Sequence, residues 1–450
     1  MKLSKYHLTT DVLDDVDMPN KRIIFSTRSG ISFLLDEPIY QNLLINEFSN
    51  IEEETIESFK SCELLVDADE DEYLKILTEN RETTEDVNVL SMTIQPSANC
   101  QLGCHYCGQK HTKDYAKDDI IELYLKRIIH FLDNDTKYTG LNIIWYGGEP
   151  LTGLSSIRSA SSKFTELCES RGLNYSATMV TNGLSLKPKL FEELVSKHNV
   201  KHFQITLDAT AESHDTRRVT KDGRKPTFDL IVKNIKDITA TDFYNSNDAH
   251  ISIRINIDKT NHHLVDDFID FIKDQGLGQK VSLTFAPIVD WGGNDAGKDG
   301  LSNQMFADKE IEWMLRCFEN NIKINKLLPK RTFYACMVER KDSEVYDAFG
   351  NIYTCWEFPY TDTYAEGNSL IGNLKDDYST FNPNPTLRDW TNVLDSGTTW
   401  CKTCLHLPVC GGACPKSWHE GTPACPSFKY NFKDKLLLDY YIRQKNLEKV

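Results

Sequence analysis

Met92-Thr93-Ile94-Gln95-Pro96-Ser97-Ala98-Asn99-Cys100-Gln101-Leu102-Gly103-Cys104-His105-Tyr106-Cys107 is the stretch on which the fold turns. A short apolar run over 92–94 reads as a strand, and a cysteine group spaced C-x3-C-x2-C follows it directly. Ordinary iron–sulfur clusters take four protein thiolates. A compact group of three leaves one iron without a protein ligand, and an open metal position is where a substrate or cofactor binds. The competing reading is a zinc site that borrows His105 or His111. Zinc, however, favours paired C-x2-C units or Cys with His at set spacings.

Downstream of this stretch the pattern is rhythmic. Apolar runs at 92–94, 143–146, 178–181, 203–207, 251–255 and 283–285 read as strands. Amphipathic stretches at about 118–133, 156–171, 188–198, 226–239 and 262–275 read as helices between them. Strand–helix alternation implies parallel pairing with right-handed crossovers, here an α/β sheet or incomplete barrel of six strands. Sites in such folds lie at the C-terminal strand ends, where the cysteine loop falls. Upstream, residues 1–60 carry short β-like runs, acidic helical stretches follow at about 52–60 and 70–80, and the polar 81–87 reads as a connector. After about 305 the rhythm stops. A helix is expected at 307–325 and another at about 432–447, and eight of the thirteen cysteines lie between 317 and 425. Such a segment is held by ligands rather than by a large core. The expected division is therefore 1–88, 89–304 and 305–450.

The 450 residues are too many for one ordinary core. With 51 Lys plus Arg against 67 Asp plus Glu, the net charge of -16 argues against nucleic acid as a general partner. No run of about 18 apolar residues is present, so no membrane span is expected. The start MKLSKYHLTT lacks the apolar core of a signal peptide, and a cytoplasmic, reducing location is expected. Cysteines there serve metals more readily than disulfides.

The three-cysteine group, with an aromatic before its last cysteine, resembles the radical S-adenosylmethionine (SAM) superfamily. The resemblance implies a [4Fe–4S] cluster on Cys100, Cys104 and Cys107 whose open iron binds SAM, and reductive cleavage of SAM to a 5′-deoxyadenosyl radical that abstracts hydrogen from an unactivated carbon. Gly147-Gly148-Glu149-Pro150 looks like the family's GGEP motif after the second strand, with Glu149 facing the SAM amino group. Thr181-Asn182 ends the third strand, where relatives contact SAM. Thr206-Leu207-Asp208 and His214-Asp215-Thr216-Arg217-Arg218 resemble a further family segment, in which Arg218 would pair with the SAM carboxylate. Arg254 and Asn256 on the fifth strand join the candidate cofactor contacts, and Asp290 beyond the sixth is the candidate catalytic base.

Cys336, Gly350 and Cys355, then Cys401-x2-Cys404-x5-Cys410-x3-Cys414 and Cys425, are similar at every position to the SPASM pattern. That similarity implies two auxiliary [4Fe–4S] clusters. Cys401, Cys404, Cys410 and Cys425 would hold the outer one, and Cys336, Cys355 and Cys414 the inner one. The inner cluster's fourth ligand is either Cys317 or an open site. Cys62 and Cys168 sit on apolar helical faces and read as buried hydrophobes.

Relatives that modify peptides carry a winged-helix-like leader-recognition domain at the N-terminus, and the hairpin expected over 21–35 fits one. The expectation is thus an oxidoreductase that matures a ribosomally made precursor peptide, installing a thioether or carbon–carbon crosslink, with a flavodoxin- or ferredoxin-type electron donor. The alternatives are an anaerobic sulfatase-maturating, formylglycine-forming enzyme and, from another class, a non-catalytic zinc-binding adaptor.

Overall fold

A computed structural model of the chain describes residues 1–15, 18–364 and 368–447. Its centre is six parallel strands in consecutive order: Val89–Ile94, Gly140–Trp145, Asn174–Thr181, Val200–Thr206, His250–Ile257 and Ser282–Pro287. The sequence of the fifth explains why it forms. Ile251, Ile253, Ile255 and Ile257 are fully buried against the helical layer. Ser252, Arg254 and Asn256 alternate with them, as the two-residue period of a strand requires, and so face the other side. That side is the barrel interior, where Arg254 and Asn256 meet a cavity. Helices Asp118–Asn134, Leu154–Arg171, Pro188–His198, Phe228–Thr239 and Val265–Asp274 cross between the strands.

The barrel stays open, and its sheet is extended at both ends. Lys323–Ile324 pairs in parallel with the sixth strand. Val345–Tyr346 pairs in parallel with the first strand, placing Val345 opposite Thr93, and antiparallel strands Asn351–Tyr353 and Leu370–Asn373 follow, giving ten strands in all. The cysteine-rich segment thus shares its sheet with the barrel. A buried ion pair fastens the same junction: Arg127 Nε and Nη2 donate to Glu344 at 3.0 and 2.6 Å.

Two sequence expectations are corrected here. The helix expected at 307–325 runs Asn303–Glu319, capped by Ser302, and the chain beyond it is the strand Lys323–Ile324. The connector expected at 81–87 is mostly the last turns of helix Glu72–Glu85. Its outward face is polar because the opposite face buries Tyr73, Ile76 and Leu77. Helix Ala211–Arg217 had no periodic signal, being about two polar turns.

The N-terminal residues form a four-stranded antiparallel sheet around Met18–Ser26, with helices Glu37–Leu44, Glu53–Ser61 and Glu72–Glu85. This module is seated on the C-terminal region. Ile23 and Phe25 pack with Val409, Phe432 and Leu436. Tyr6, Tyr73, Ile76 and Leu77 share a core with Trp390, Leu394, Cys401 and Leu407. Arg28, only 2% exposed, holds Glu63 and Glu70 at 2.6 and 2.5 Å beneath that seat.

Candidate active site

The cysteine loop leaves the first strand and is pinned along its length. Gly103 N donates to Val219 O, His105 N to Arg217 O, and Lys221 N to Gln101 O, so the segment 217–221 runs beside it. Cys100, Cys104 and Cys107 border one cavity of about 330 Å³ at the C-terminal ends of the strands. Burial pushes the Cys100 thiol up to about 12, with the Glu149 charge adding to it, and burial pushes Cys104 up to about 11. Such thiols stay protonated until a cation takes the proton's place.

Gly147, Gly148, Thr181, Asn182, Thr206, Arg218, Arg254 and Asn256 border the same cavity. The two glycines are required by space. Gly147 has φ +104°, and a Cβ there would lie 2.8 Å from Gln95 Cβ; at Gly148 a Cβ would lie 2.7 Å from the backbone oxygen of Asn99. Arg218 is buried, and its Nε has no hydrogen-bond partner. A fixed cation with an unused donor beside three thiols fits an anionic, sulfur-adjacent ligand, as a SAM–cluster site would need.

Four sequence candidates do not border this cavity. Glu149 is 1% exposed, and protein donors occupy both its oxygens: Thr181 Oγ1 at 2.7 Å and Leu151 N at 3.1 Å on Oε1, Asn182 N at 2.7 Å on Oε2. It ties the second strand end to the third, with Pro150 buried behind the glycines. Asp208, fully buried, accepts from Tyr106 Oη at 2.6 Å and stands one layer behind the wall. Asp290 lies outside as well. Its Oδ1 accepts from the backbone N–H of Gly292 and Asn294 at 3.2 Å each, which makes it a loop cap. Although burial opposes it, those N–H groups hold its carboxyl below the usual range. The segment 214–218 is likewise largely architectural. Burial lowers His214 to about 2, and its neutral Nδ1 accepts the Asp208 N–H at 3.1 Å. Asp215 accepts from Thr227 N and Phe228 N at the start of the next helix.

Other residues complete the wall without having been singled out. Tyr106 is the aromatic inside the cysteine motif. Glu357 stands two positions after Cys355 and is the one carboxylate bordering the cavity among the described residues. Tyr146, directly before Gly147, donates to Glu357 Oε1 at 2.9 Å and lies 5.1 Å from the ring of Trp356. Burial raises the Glu357 carboxyl against the pull of Tyr146, Lys416 and Arg254. Motif position was the available signal for all three.

In the cysteine-rich segment, Cys401, Cys404, Cys410 and Cys425 line a second, smaller cavity, and Lys429 Nζ donates to Cys425 Sγ at 3.4 Å. Burial raises the Cys336 and Cys355 thiols, and the charge of Cys414 adds to both, as Cys336 does to Cys355, so the three lie near one another. Among the described residues no three His, Cys, Asp or Glu side chains converge on a point fit for one metal ion. The first three cysteines and the four at 401–425 border spaces instead, as the corners of a polynuclear cluster require. His105 Nε2 is turned to Asp258, 3.9 Å away. Cys317 is fully buried in the barrel core, whereas Cys355 and Cys336 belong to a separate apolar cluster, so it does not join the inner three. Cys62 and Cys168 are buried among apolar side chains.

Residues 94–274 match the model of the Radical SAM superfamily. No curated protein sequence matches the chain. Among solved structures, native anSMEcpe with bound AdoMet superposes with a TM-score of 0.60 at 17% identity, covering 80% of this chain and 98% of that one. The same protein with AdoMet and the Cp18Cys peptide gives 0.57 at 18% identity, covering 80% and 98%. Streptococcus suis SuiB bound to precursor peptide SuiA gives 0.50 at 15% identity, covering 95% and 98%. At these identities the likeness is one of fold. The chain therefore carries a radical SAM domain at residues 94–274, its cysteine loop and glycine turn facing one cavity within a fold shared with anSMEcpe and SuiB.

Proposed function

We propose that this chain is a radical SAM maturase that modifies a peptide, forming a thioether or carbon–carbon crosslink at an unactivated carbon. One observation carries this reading. A single cavity is lined both by Cys100, Cys104 and Cys107 and by Trp356 and Glu357, the residues after Cys355. A substrate held there lies between the first cysteine group and the inner three. Bound SAM and its cluster would supply the hydrogen-abstracting radical, and auxiliary clusters on the C-terminal cysteines would supply an acceptor for the electron that oxidative bond formation releases. The protein's part is placement. The backbone of Gly147-Gly148 admits SAM closely, Thr181, Asn182, Thr206 and Asn256 offer hydrogen bonds, and Arg218 and Arg254 offer positive charge. Glu357, with one oxygen held by Tyr146, presents the other to substrate.

The N-terminal module supports a peptide as the substrate. Strand Ile31–Asp36 pairs only with Met18–Ser26 among the described residues, and Ile31 and Leu34 on it are 47% and 37% exposed. An extended leader adds to such an edge through main-chain hydrogen bonds. SuiB, solved with its precursor peptide, matches over 95% of this chain and so takes in this module.

The test is anaerobic reconstitution followed by iron and sulfide counts and an assay for 5′-deoxyadenosine. Three clusters correspond to about twelve irons per chain. Cleavage that is lost in Cys104→Ala, together with that count, is the expected result. Zinc in place of iron, or no 5′-deoxyadenosine, would refute the proposal and favour the adaptor.

A further inference from the structure

Tyr106 lies between two of the cluster cysteines, yet its hydroxyl serves a different set of groups. Oη donates to Asp208 Oδ2 at 2.6 Å and accepts from Arg218 Nη1 at 2.5 Å and from Asn256 Nδ2 at 3.1 Å. A phenol has one donor and two acceptor positions, so this oxygen is fully used. Arg218 depends on it. Among the described residues Nη1 makes the one hydrogen bond of this buried guanidinium, Nε is buried without a partner, and Nη2 has none. The Nε–Nη2 edge is one of the sides on which a guanidinium meets a carboxylate with two parallel bonds. Arg218 borders the cavity, and this edge has no protein partner among the described residues because the guanidinium is gripped from the opposite corner. Asn256 in turn accepts from Arg254 Nε at 2.8 Å, so the same hydroxyl reaches the second cation of the wall.

We propose that Tyr106 is a positioning residue whose hydroxyl holds Arg218 so that its free edge receives the carboxylate of SAM. This rests on the reading of the cavity as a SAM site. Asp208, behind the wall, anchors the hydroxyl, which explains how a buried acid with no cavity exposure still serves the ligand.

Tyr106→Phe removes one oxygen and keeps the ring. Iron content and the electron paramagnetic resonance spectrum of the reduced protein without SAM report whether the cysteine loop is intact. Binding is then measured by equilibrium dialysis for SAM and for decarboxylated SAM, which has no carboxylate. SAM affinity is expected to fall about tenfold, the loss of a charge-assisted contact, with decarboxylated SAM unchanged. Arg218→Gln, which changes no residue of the cysteine loop and whose iron content is checked in the same way, is expected to show the same selectivity, and adding Tyr106→Phe to it should change SAM affinity less than about twofold. Equal weakening of both ligands overturns the proposal, as does a Phe variant that binds SAM normally or no longer loads iron. So does a further full drop in the Gln background. Wild-type protein that loads iron but binds no SAM would refute the SAM reading itself, a result separate from any of these.

Discussion

Arg127→Met should be among the most damaging single changes outside the cavity. The guanidinium donates twice to Glu344, whose side chain is 2% exposed, and lies over the rings of Phe131, Tyr378 and Phe381. Methionine replaces much of the apolar contact but none of the charge. Glu344 would keep one donor, the Tyr346 hydroxyl at 3.0 Å. Leaving a buried carboxylate this way costs about 3–5 kcal/mol. At about 2–4 °C per kcal/mol for a domain of this size, the apparent melting midpoint should fall by roughly 6–20 °C. Glu344→Leu added to Arg127→Met removes the stranded charge, and most of the loss should return. Anaerobic differential scanning calorimetry of the two single variants and the double variant measures this. A single-variant loss under about 1 kcal/mol, or a double variant as unstable as the sum of the singles, would refute it. Because the pair sits where Val345–Tyr346 joins the barrel, the single variant should also load less iron on the cysteines that follow.

Three shorter predictions concern the site and its supports. Gly148→Ala places a Cβ 2.7 Å from the Asn99 oxygen, which also accepts the Glu149 N–H, so the start of the cysteine loop must move; a cost of about 1–3 kcal/mol and a drop in iron at the first cluster are expected, read by thermal melting and iron count. Asp290→Asn should leave both SAM cleavage and peptide modification within about twofold and lower stability by no more than about 1 kcal/mol, because it removes a loop cap and no cavity group; a loss of modification beyond tenfold with SAM cleavage intact would restore it as a base. His214, normally near 6.5 and lowered to about 2, stays neutral while the unfolded chain takes up a proton; stability should therefore fall by about 1.4 kcal/mol per pH unit on this account as pH drops below 6.5, and His214→Asn should flatten the slope by about one proton between pH 6.5 and 5 in urea titrations.

Much of this was legible because chemistry with strict spacing leaves strict patterns. The six barrel strands were visible as buried apolar runs, and Ile251 to Ile257 even announce which residues face inward. The cysteine groups were visible because ligands must come at fixed reach. Residues that act through others were not. Glu149 and Asp208 carry the family's motif positions yet face protein donors, since a motif does not distinguish the wall from the layer behind it. Asp290 looked like a base because an acid at a strand end is a reasonable candidate; its use by backbone N–H groups depends on the path of the loop after it. Glu357 had only its place two positions after Cys355 to signal it, because it reaches the cavity from a segment far away in the chain. The polar run 81–87 resembled a connector because a helix with one dry face shows its wet face to composition.

The pairing of Val345 with Thr93 spans 252 positions of chain. At about 5–20 residues per second of ribosomal synthesis, the first barrel strand waits about 13–50 s for its outer neighbour to be made. Throughout that interval one side of the strand offers bare N–H and C=O groups, the template on which unrelated chains pair and aggregate. The cysteine loop hangs from the end of the same strand. A newborn chain is thus most adhesive where its metal chemistry begins, and yield in a heterologous host should respond to chaperone supply as well as to iron.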